Sequence, residues 1–403
     1  MAFRQDVSFM DEGSCSGCGL CSVVCPTSSI SLTPNERGFS VPFVDSSSCV
    51  GCGVCVNKCP SLFKPESSQT DTAYVARSLE ANNLKKSTAG GMTKPLFETI
   101  IENGGVAYGA GYAPDWTVRH IACRSSSDSD KCAGSKYVQS DLLAEDVYED
   151  IRQSLSHELP VLFSGLPCQT AAIRARFGDP AGLYLVDLVC HGVASPYLWD
   201  KYLDRFDRGA IEQIRFRNKT YGYHMSTMEI VSRGRAYRKS GRVDPYLKAF
   251  FSGIAHRKSC NECRFKGESR YSDLTLFDCS RFFELTGMHD DDCGYTNVLI
   301  NSSKGMELID MLDSGHVELI PIEKSEAVRL NGRMIAECTS RHPSTDLFYC
   351  EVAQSTLDRA IDKYIGSSKI DSLVEHSKSF LYKSGLLSVR RKLKEKKGAN
   401  AKH

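Results

Sequence analysis

Short apolar segments separated by polar turns run along most of the chain and predict a mixed α/β protein. Near the N-terminus, residues 29–32 and 38–44 alternate between apolar and polar side chains, as expected for two short strands of a small ferredoxin-like fold. Residues 95–101 have the spacing of an amphipathic helix. Apolar runs that predict strands of the main body occupy residues 72–78, 161–165 and 183–189.

The pattern divides the chain into a small N-terminal domain and a larger body, and the predicted fold class is α+β or α/β. Residues 1–65 are predicted to form the ferredoxin-like domain, which a polar linker at residues 64–70 joins to the body. Residues 72–250 are predicted to form a mixed α/β domain, and residues 251–350 its C-terminal part. Residues 351–403 are predicted to form a helical, basic tail.

Composition is that of an ordinary globular protein. With 403 residues, 41% hydrophobic and 25% charged, the chain is large enough for two or three domains with real cores, which excludes a disordered body. No apolar run approaches the roughly 18 residues that a membrane-spanning helix needs. The N-terminus has no apolar stretch behind a basic start, so we expect a cytoplasmic protein without a secretory signal.

Charge is unevenly distributed along the chain. The last 26 residues contain nine Lys or Arg and one Glu, a net charge of +8, so the rest of the chain carries −7 of the total of +1. An acidic body argues against an extended nucleic-acid surface. Residues 379–394 are apolar and then basic, which suits peripheral contact with an anionic membrane or an acidic partner, a solvated terminus being the alternative.

Cysteine spacing is the main chemical signal. Eight of the 18 cysteines lie in the first 59 residues, in two runs of the form CxxCxxCxxxCP, and a cytoplasmic protein uses such clusters for metal rather than for disulfides. In such pairs of runs, three ligands of a 4Fe–4S cluster come from one run and the fourth from the other. The predicted ligands are therefore Cys15, Cys18, Cys21 and Cys59 for the first cluster, and Cys49, Cys52, Cys55 and Cys25 for the second. Gly17, Gly19, Gly51 and Gly53 suit loops that wrap a cluster, and two zinc sites are the alternative.

Four cysteines in the body suggest a third cluster. Cys168 and Cys190 each follow the carboxyl end of an apolar strand, where α/β proteins place their sites, and Cys260 and Cys263 form a CxxC pair. The alternatives are small buried hydrophobic residues and a redox dithiol. Cys279 is a further candidate ligand. The remaining cysteines show no pattern and are interpreted as structural: Cys123, Cys132, Cys293, Cys338 and Cys350.

A loop rich in Ser, Thr and Gly precedes the helical pattern at residues 95–101. Such a loop exposes backbone amides at the positive end of a helix and can bind an anion. An ordinary capped helix start is the alternative interpretation. The residues singled out are Ser87, Thr88, Gly90, Gly91 and Thr93.

The order of these motifs resembles the coenzyme F420 hydrogenase/dehydrogenase beta-subunit family, in particular members that lie beside bacterial polysaccharide-biosynthesis genes. After the two cysteine runs come TAGGxT at 88–93, AGSKY at 133–137, GxPCQ at 165–169, CHG at 190–192, FRxK at 216–219 and CxxC at 260–263. One departure is that Phe277 stands where the family has glycine, before Asp278 and without the following tryptophan.

The resemblance implies a protein that holds FAD beside a third cluster bound by Cys168, Cys190, Cys260 and Cys263. It implies that the segment from Ser87 to Thr93 lines the flavin together with Gly134, Ser135, Lys136 and Tyr137. Lys136, Arg217 and Lys219 are candidates to neutralise flavin phosphates or a reduced flavin, and a solvated surface charge is the alternative for each. His191 is a candidate proton relay or hydrogen-bond donor beside the cluster, and so a candidate catalytic residue.

These expectations give three functional hypotheses. The first is an oxidoreductase that passes electrons between a hydride carrier, F420 or NAD(P)H, and a partner protein or substrate. FAD is needed there because a hydride carrier gives two electrons while a cluster accepts one. The second is an electron-transfer subunit without a substrate site of its own. The third is a ferredoxin-headed scaffold that has lost flavin.

Overall fold

The computed structural model describes residues 6–64, 66–225, 227–366 and 368–386. The strands are β1 Ile30–Pro34, β2 Ser40–Val44, β3 Thr72–Ser78, β4 Val106–Tyr112, β5 Val118–Cys123, β6 Val161–Gly165, β7 Leu183–Leu188, β8 Ile211–Asn218, β9 Thr227–Ser232, β10 Arg235–Ser240, β11 Leu274–Asp278, β12 Thr296–Ile300 and β13 Val317–Glu323. The helices are α1 Leu20–Val23, α2 Val54–Asn57, α3 Ala81–Lys86, α4 Thr93–Glu102, α5 Ser126–Lys131, α6 Val147–Ser156, α7 Pro167–Phe177, α8 Pro196–Leu203, α9 Pro245–Phe251, α10 Phe282–Thr286, α11 Ser303–Asp310, α12 Lys324–Asn331, α13 Arg333–Ala336, α14 Thr345–Gln354, α15 Leu357–Tyr364 and α16 Lys369–Lys383. The predicted mixed α/β class is confirmed.

The N-terminal domain consists of one β-hairpin and two short helices. Strands β1 and β2 pair antiparallel, with Ile30 opposite Val44, which confirms the two predicted strands. The short helices α1 and α2 each begin after a glycine with positive φ, Gly19 at 79° and Gly53 at 72°. A side chain with a Cβ is strained at such a φ, so glycine is what allows each cysteine run to turn into its helix.

The body is built on one eight-stranded mixed sheet with the order β13-β3-β12-β11-β7-β6-β4-β5. The predicted strands at 72–78 and 161–165 are found with those bounds, and the third ends at Leu188 instead of 189. Strands β6 and β7 run parallel at its centre, with all of β6 buried. Their carboxyl ends therefore lie at the same edge of the sheet, which brings Cys168 and Cys190 near each other.

A second, three-stranded antiparallel sheet of order β10-β9-β8 shares a hydrophobic core with helices α8, α9, α14 and α15. Their shared core is rich in large aromatic side chains, among them Trp199, Tyr246, Phe250 and Phe348. Strand β8 ends at Asn218, and next to that end Arg217 forms an ion pair with Asp278 of β11 in the large sheet. The main sheet takes strands from residues 72–250 and from residues 251–350, so these two predicted ranges share one structure.

Part of the predicted tail is helical, since α16 extends from Lys369 to Lys383. The tail from residue 387 onward, which carries most of the basic residues, lies outside the described residues. None of the helices in the described ranges is long and apolar enough to cross a lipid bilayer.

A buried histidine in the main sheet makes stability depend on pH. His120 on β5 donates from Nε2 to the carbonyl of Ser164 at 3.0 Å and stacks on Phe163. Burial lowers the pKa of His120 to about 4, from an ordinary value of 6.5. Between these values the unfolded chain binds a proton that the folded chain does not, so stability is lost as pH falls from 6.5 to 4.

We expect His120→Gln, which keeps an amide donor but does not titrate, to weaken this pH dependence. The free energy of unfolding of the wild type should fall relative to the variant by up to about 3 kcal/mol between pH 7 and 4. The measurement is denaturant unfolding of both proteins at several pH values. The exposed His316→Gln variant is the control, and parallel pH curves for wild type and His120→Gln would contradict the prediction.

Candidate functional site

The structure brings the four predicted ligands of the first cluster together. Burial and the neighbouring Cys15 and Cys59 raise the pKa of Cys18 to about 12. Cys21 lies near the same three cysteines, which together with burial raise its pKa further. The amide of Gly17 donates to the sulfur of Cys15 at 3.2 Å. Sulfurs that are crowded together and accept backbone hydrogen bonds suit an iron–sulfur cluster, which supplies the positive charge that the free thiolates lack.

The four predicted ligands of the second cluster line one small pocket of the same domain: Cys25, Cys49, Cys52 and Cys55. Burial raises the pKa of Cys25, but hydrogen bonds from Ser29 and Thr27 outweigh it and lower the pKa to about 7. The hydroxyl of Ser29 lies 3.3 Å from the sulfur of Cys25. Cys55 is close enough to Cys21 to raise its pKa, so the two sets are neighbours.

The third set of cysteines surrounds a cavity of about 150 Å³ between the N-terminal domain and the body. Cys168 lies in the first turn of α7 and Cys190 follows β7, while the CxxC pair approaches from the loop after α9. The cavity wall also contains Cys18 of the first set. The residues that line it with Cys18 include all four predicted ligands: Cys168, Cys190, Cys260 and Cys263.

The electrostatics of this cavity suit an anionic cluster. Burial and the three neighbouring thiols raise the pKa of Cys168 well above its usual range. Lys266, Arg257 and Arg270 line the same cavity, and the amide of Gly192 donates to the sulfur of Cys190 at 3.3 Å. Within the described ranges, no three His, Cys, Asp or Glu side chains are grouped to hold a single metal ion. The cysteines enclose a space with cations and amide donors around it, which is the donor set of a cluster.

A buried arginine fixes the N-terminal domain to the body. The guanidinium of Arg257 donates to the carbonyls of Cys15 at 2.7 Å and Ser40 at 2.9 Å, and to the side chain of Gln139 at 3.1 Å. Only 1% of Arg257 is exposed. Ser259 also donates to the carbonyl of Cys15, at 2.9 Å. The first and third cysteine sets are therefore held at a fixed separation.

One cysteine near the third set was missed by sequence reasoning. The sulfur of Cys338 accepts a hydrogen bond from the amide of Cys263 at 3.3 Å. Cys338 stands alone in the sequence, so no spacing signal could have placed it there. Cys279, which the sequence offered as a further ligand, packs instead with Val75, Phe282 and Tyr295, away from the cavity.

The two segments predicted to line a flavin meet in the structure. The hydroxyl of Thr88 donates to the hydroxyl of Ser135 at 3.0 Å, and the amide of Ser135 donates to the Thr88 hydroxyl at 2.8 Å. Helix α4 starts at Thr93 without a side-chain hydrogen bond at its cap. Gly90 packs against the sheet so closely that a Cβ would lie 2.4 Å from the carbonyl oxygen of Ala76. This loop is held tightly against β3 and β12.

The three predicted cations have protein partners. Lys219 donates to the carbonyls of Leu84, Ala89 and Cys293 at 2.6–2.8 Å, and burial lowers its pKa to about 8. Lys219 therefore ties β8 to the loop before α4.

Lys136 and Arg217 lie on the other side of this region. Lys136 donates to the carbonyls of Ala133 and Gly134, both at 3.2 Å, and burial lowers its pKa to about 8. Arg217 forms an ion pair with Asp278, which stands in the segment that departs from the family pattern. Tyr137 is close enough to Arg217 for the cation to act on its hydroxyl.

His191 lies between the third cysteine set and this region. Partial desolvation and the positive charge of Lys266 lower the pKa of His191, while Asp278 acts in the opposite direction. Its backbone carbonyl accepts a hydrogen bond from Thr339 at 2.7 Å. The residue is exposed to solvent, and its role stays a prediction.

Two parts of the chain match known families. Residues 14–62 match the 4Fe-4S dicluster domain, and residues 160–325 match the family defined by the C terminus of the coenzyme F420 hydrogenase/dehydrogenase beta subunit. The resemblance found in the motifs is thereby confirmed, whereas the link to polysaccharide genes stays a prediction. The second match contains all four cysteines of the third set.

A solved structure also resembles the chain. It is the xenon-derivatised F420-reducing NiFe hydrogenase complex from Methanosarcina barkeri, one chain of which is 19% identical with a TM-score of 0.47. The similarity covers 67% of this chain and 90% of that chain. No curated protein matches the chain.

We expect Cys168→Ser to remove one cluster and to leave the N-terminal domain loaded. Iron content should fall from about 12 to about 8 atoms per chain, because each 4Fe–4S cluster needs its four thiolates. Iron and sulfide analysis of anaerobically purified protein is the measurement, with the exposed Cys350→Ser as control. Unchanged iron in Cys168→Ser would refute this ligand set, and Cys338 would be the first residue to test as a substitute.

We expect Arg257→Met to loosen the N-terminal domain from the body. Removing a buried, hydrogen-bonded charge typically costs 2–5 kcal/mol, which at the lower limit is a roughly 30-fold rise in the undocked fraction. Limited proteolysis of the linker at residues 64–70 should accelerate by about that factor. The exposed Arg333→Met is the matched control, and equal cleavage rates for the two variants would contradict the docking role of Arg257.

Proposed function

We propose that this chain, which joins a 4Fe-4S dicluster domain to the C-terminal region of the F420 hydrogenase/dehydrogenase beta-subunit family, is a flavin-dependent oxidoreductase subunit. It is an iron–sulfur electron-transfer protein related to those beta subunits. Its proposed reaction exchanges electrons between a hydride carrier, F420 or NAD(P)H, and a protein partner or substrate. FAD and three 4Fe–4S clusters are the proposed cofactors.

One observation carries the proposal. Cys18 of the first cysteine set and the four cysteines of the third set line the same cavity. Clusters bound by these two sets would lie close enough to exchange electrons without any domain movement. On a scaffold without electron transfer, the N-terminal domain would not need to share a cavity with the four cysteines of the third set.

The flavin is proposed on the residues that the two loops bring together. Thr88 and Ser135 offer hydroxyls, and Arg217 with Asp278 offers a charged pair close to Tyr137. FAD, when bound, would exchange two electrons with a hydride carrier and single electrons with a cluster. Lys136 and Lys219 hold the loops through carbonyls, so we assign them to positioning rather than to direct phosphate contact.

His191 is proposed to move a proton at the flavin side of the third cluster. Its lowered pKa keeps the imidazole neutral at pH 7, so one ring nitrogen accepts a proton and the other donates one. Lys266, which donates to the carbonyl of Cys190 at 2.6 Å, keeps positive charge next to the cluster when an electron arrives.

The second cysteine set supports a protein partner on the far side of the N-terminal domain. Cys52 is exposed, and so is the neighbouring Val50, with 67% of its surface accessible. A cluster near the surface beside an apolar side chain is suited to electron exchange with another protein. We place the protein in the cytoplasm, with contact between the basic tail and a membrane surface as a further hypothesis.

A subunit without a substrate site of its own is the second candidate function. The same exposed Cys52 favours it, since electrons would then leave to a catalytic partner. Steady-state reduction of a small molecule by the isolated chain separates the two candidates.

The test is the iron, sulfide and flavin content of protein purified without oxygen, followed by reduction with F420 or NAD(P)H. About 12 iron atoms and one FAD per chain are expected. About 8 iron atoms without flavin would leave only the N-terminal domain loaded and would overturn the enzyme proposal.

We further expect Thr88→Val to reduce FAD retention at unchanged iron content, because the hydroxyl that joins the two loops is lost. Flavin per chain after gel filtration is the measurement. Ser126→Ala, on the exposed helix α5, is the control. Equal flavin in wild type and Thr88→Val would place the flavin elsewhere.

A further inference from the structure

Two cysteines that the sequence left as structural form a buried pair directly before the loop of residues 133–137. Cys123 ends β5 and Cys132 follows α5, and their sulfurs are 3.5 Å apart. The side chains are almost fully buried, with 0% and 9% of the residues exposed. The two residues are nine positions apart in the sequence, on either side of helix α5.

Both cysteines belong to the hydrophobic core between α4 and the large sheet, but a buried cation acts on one of them. A hydrogen bond from Cys123 and the positive charge of Lys136 lower the pKa of Cys132, although burial opposes them. Lys136 is a buried cation whose hydrogen bonds go to two carbonyls, so a thiolate at Cys132 gives it a negative neighbour. A thiol beside a lysine, with a second thiol at contact distance, is the arrangement of a reactive dithiol.

We infer that Cys123 and Cys132 are a dithiol–disulfide redox pair that exchanges two electrons with the flavin held by the adjoining loop. This inference rests on the proposed function, because the flavin is its electron carrier. On oxidation of the pair, two S–H bonds are lost and one S–S bond forms. The two electrons and one proton go to oxidised flavin, and the second proton goes to solvent.

The burial of the two sulfurs limits which electron carrier can react with them. Thiol–disulfide exchange with another protein requires that its thiolate reach one of the two sulfurs in line, and that access is closed at Cys123. A flavin bound by the protein needs contact with only one sulfur, and Cys132, with 9% of the residue exposed, offers that contact where Cys123 does not. Lys136 links the cysteine pair to the loop that the flavin would contact. It lowers the pKa of Cys132 and donates hydrogen bonds to carbonyls of that loop.

The pair gives the protein an additional place to store two electrons. FAD takes both electrons of a hydride and each cluster stores one, so the dithiol pair raises by two the number of electrons that the chain can hold.

The test is an anaerobic reductive titration of the full-length protein with its cofactors. Wild type, Cys123→Ser and Cys132→Ser are oxidised with ferricyanide and titrated with dithionite, with Cys350→Ser as the control. At matched iron and flavin content, the wild type and the control should take up two electrons more per chain than either pair variant. Where a serine variant loses cofactors, the alanine variant at the same position replaces it.

Thiol trapping followed by peptide mass spectrometry gives an independent readout. We expect Cys123 and Cys132 to be linked in the oxidised protein and alkylated separately after the flavin is reduced. Equal electron uptake in all variants, or free thiols in the oxidised protein, would overturn the inference. A pair that stays oxidised while flavin absorbance is bleached would also overturn it.

Failure of the proposed function has a different signature. Protein without flavin absorbance would contradict the proposed cofactor, whatever the state of the pair. Flavin absorbance, recorded before the titration begins, selects the protein that contains flavin. In that protein, only the behaviour of the two thiols can reject the inference.

Discussion

The site depends above all on the contact between the buried Arg257 and the backbone of the N-terminal domain. Its guanidinium reaches the carbonyl of Cys15, which belongs to the first cysteine run, and the carbonyl of Ser40 in the hairpin. Arg257 itself lies three residues before Cys260, a member of the third set. One side chain therefore couples the positions of two cysteine sets that are far apart in sequence. Because a charge of this kind is costly to bury unpaired, the domain is held in one orientation.

The large sheet provides the other constraint. Parallel strands β6 and β7 deliver Cys168 and Cys190 to a common edge, and the buried ion pair between Arg270 and Asp187, with N–O distances of 3.0 and 3.1 Å, fixes the segment after the CxxC pair against β7. The third set thus forms only when the sheet is complete. In the N-terminal domain, by contrast, local loops supply every cysteine.

Sequence reasoning succeeded where the signal was periodic or regularly spaced. The strand at 72–78, the paired strands of the N-terminal domain and the two cysteine runs could be predicted because their patterns are local. It failed for Cys338 and for the contact between Cys123 and Cys132, because tertiary packing alone brings these residues to their partners. Charge alone was less informative. Lys219 was a candidate to neutralise flavin phosphates or a reduced flavin, and the structure shows it bound to three carbonyls, a set of partners that no sequence pattern indicates.

The difference in how the cysteine sets are assembled has a consequence for biogenesis. The eight cysteines of the N-terminal domain lie within the first 59 residues and need no other part of the chain to come together. The third set is complete only after residue 263 has been synthesised. Bringing its cysteines together closes longer stretches of chain, which costs more conformational entropy. With the third cluster as proposed, iron delivery during synthesis would meet two kinds of acceptor, an early one that forms near the ribosome exit and a late one that exists only after the body has folded. A shortage of iron would leave chains that are loaded at one end and empty at the other.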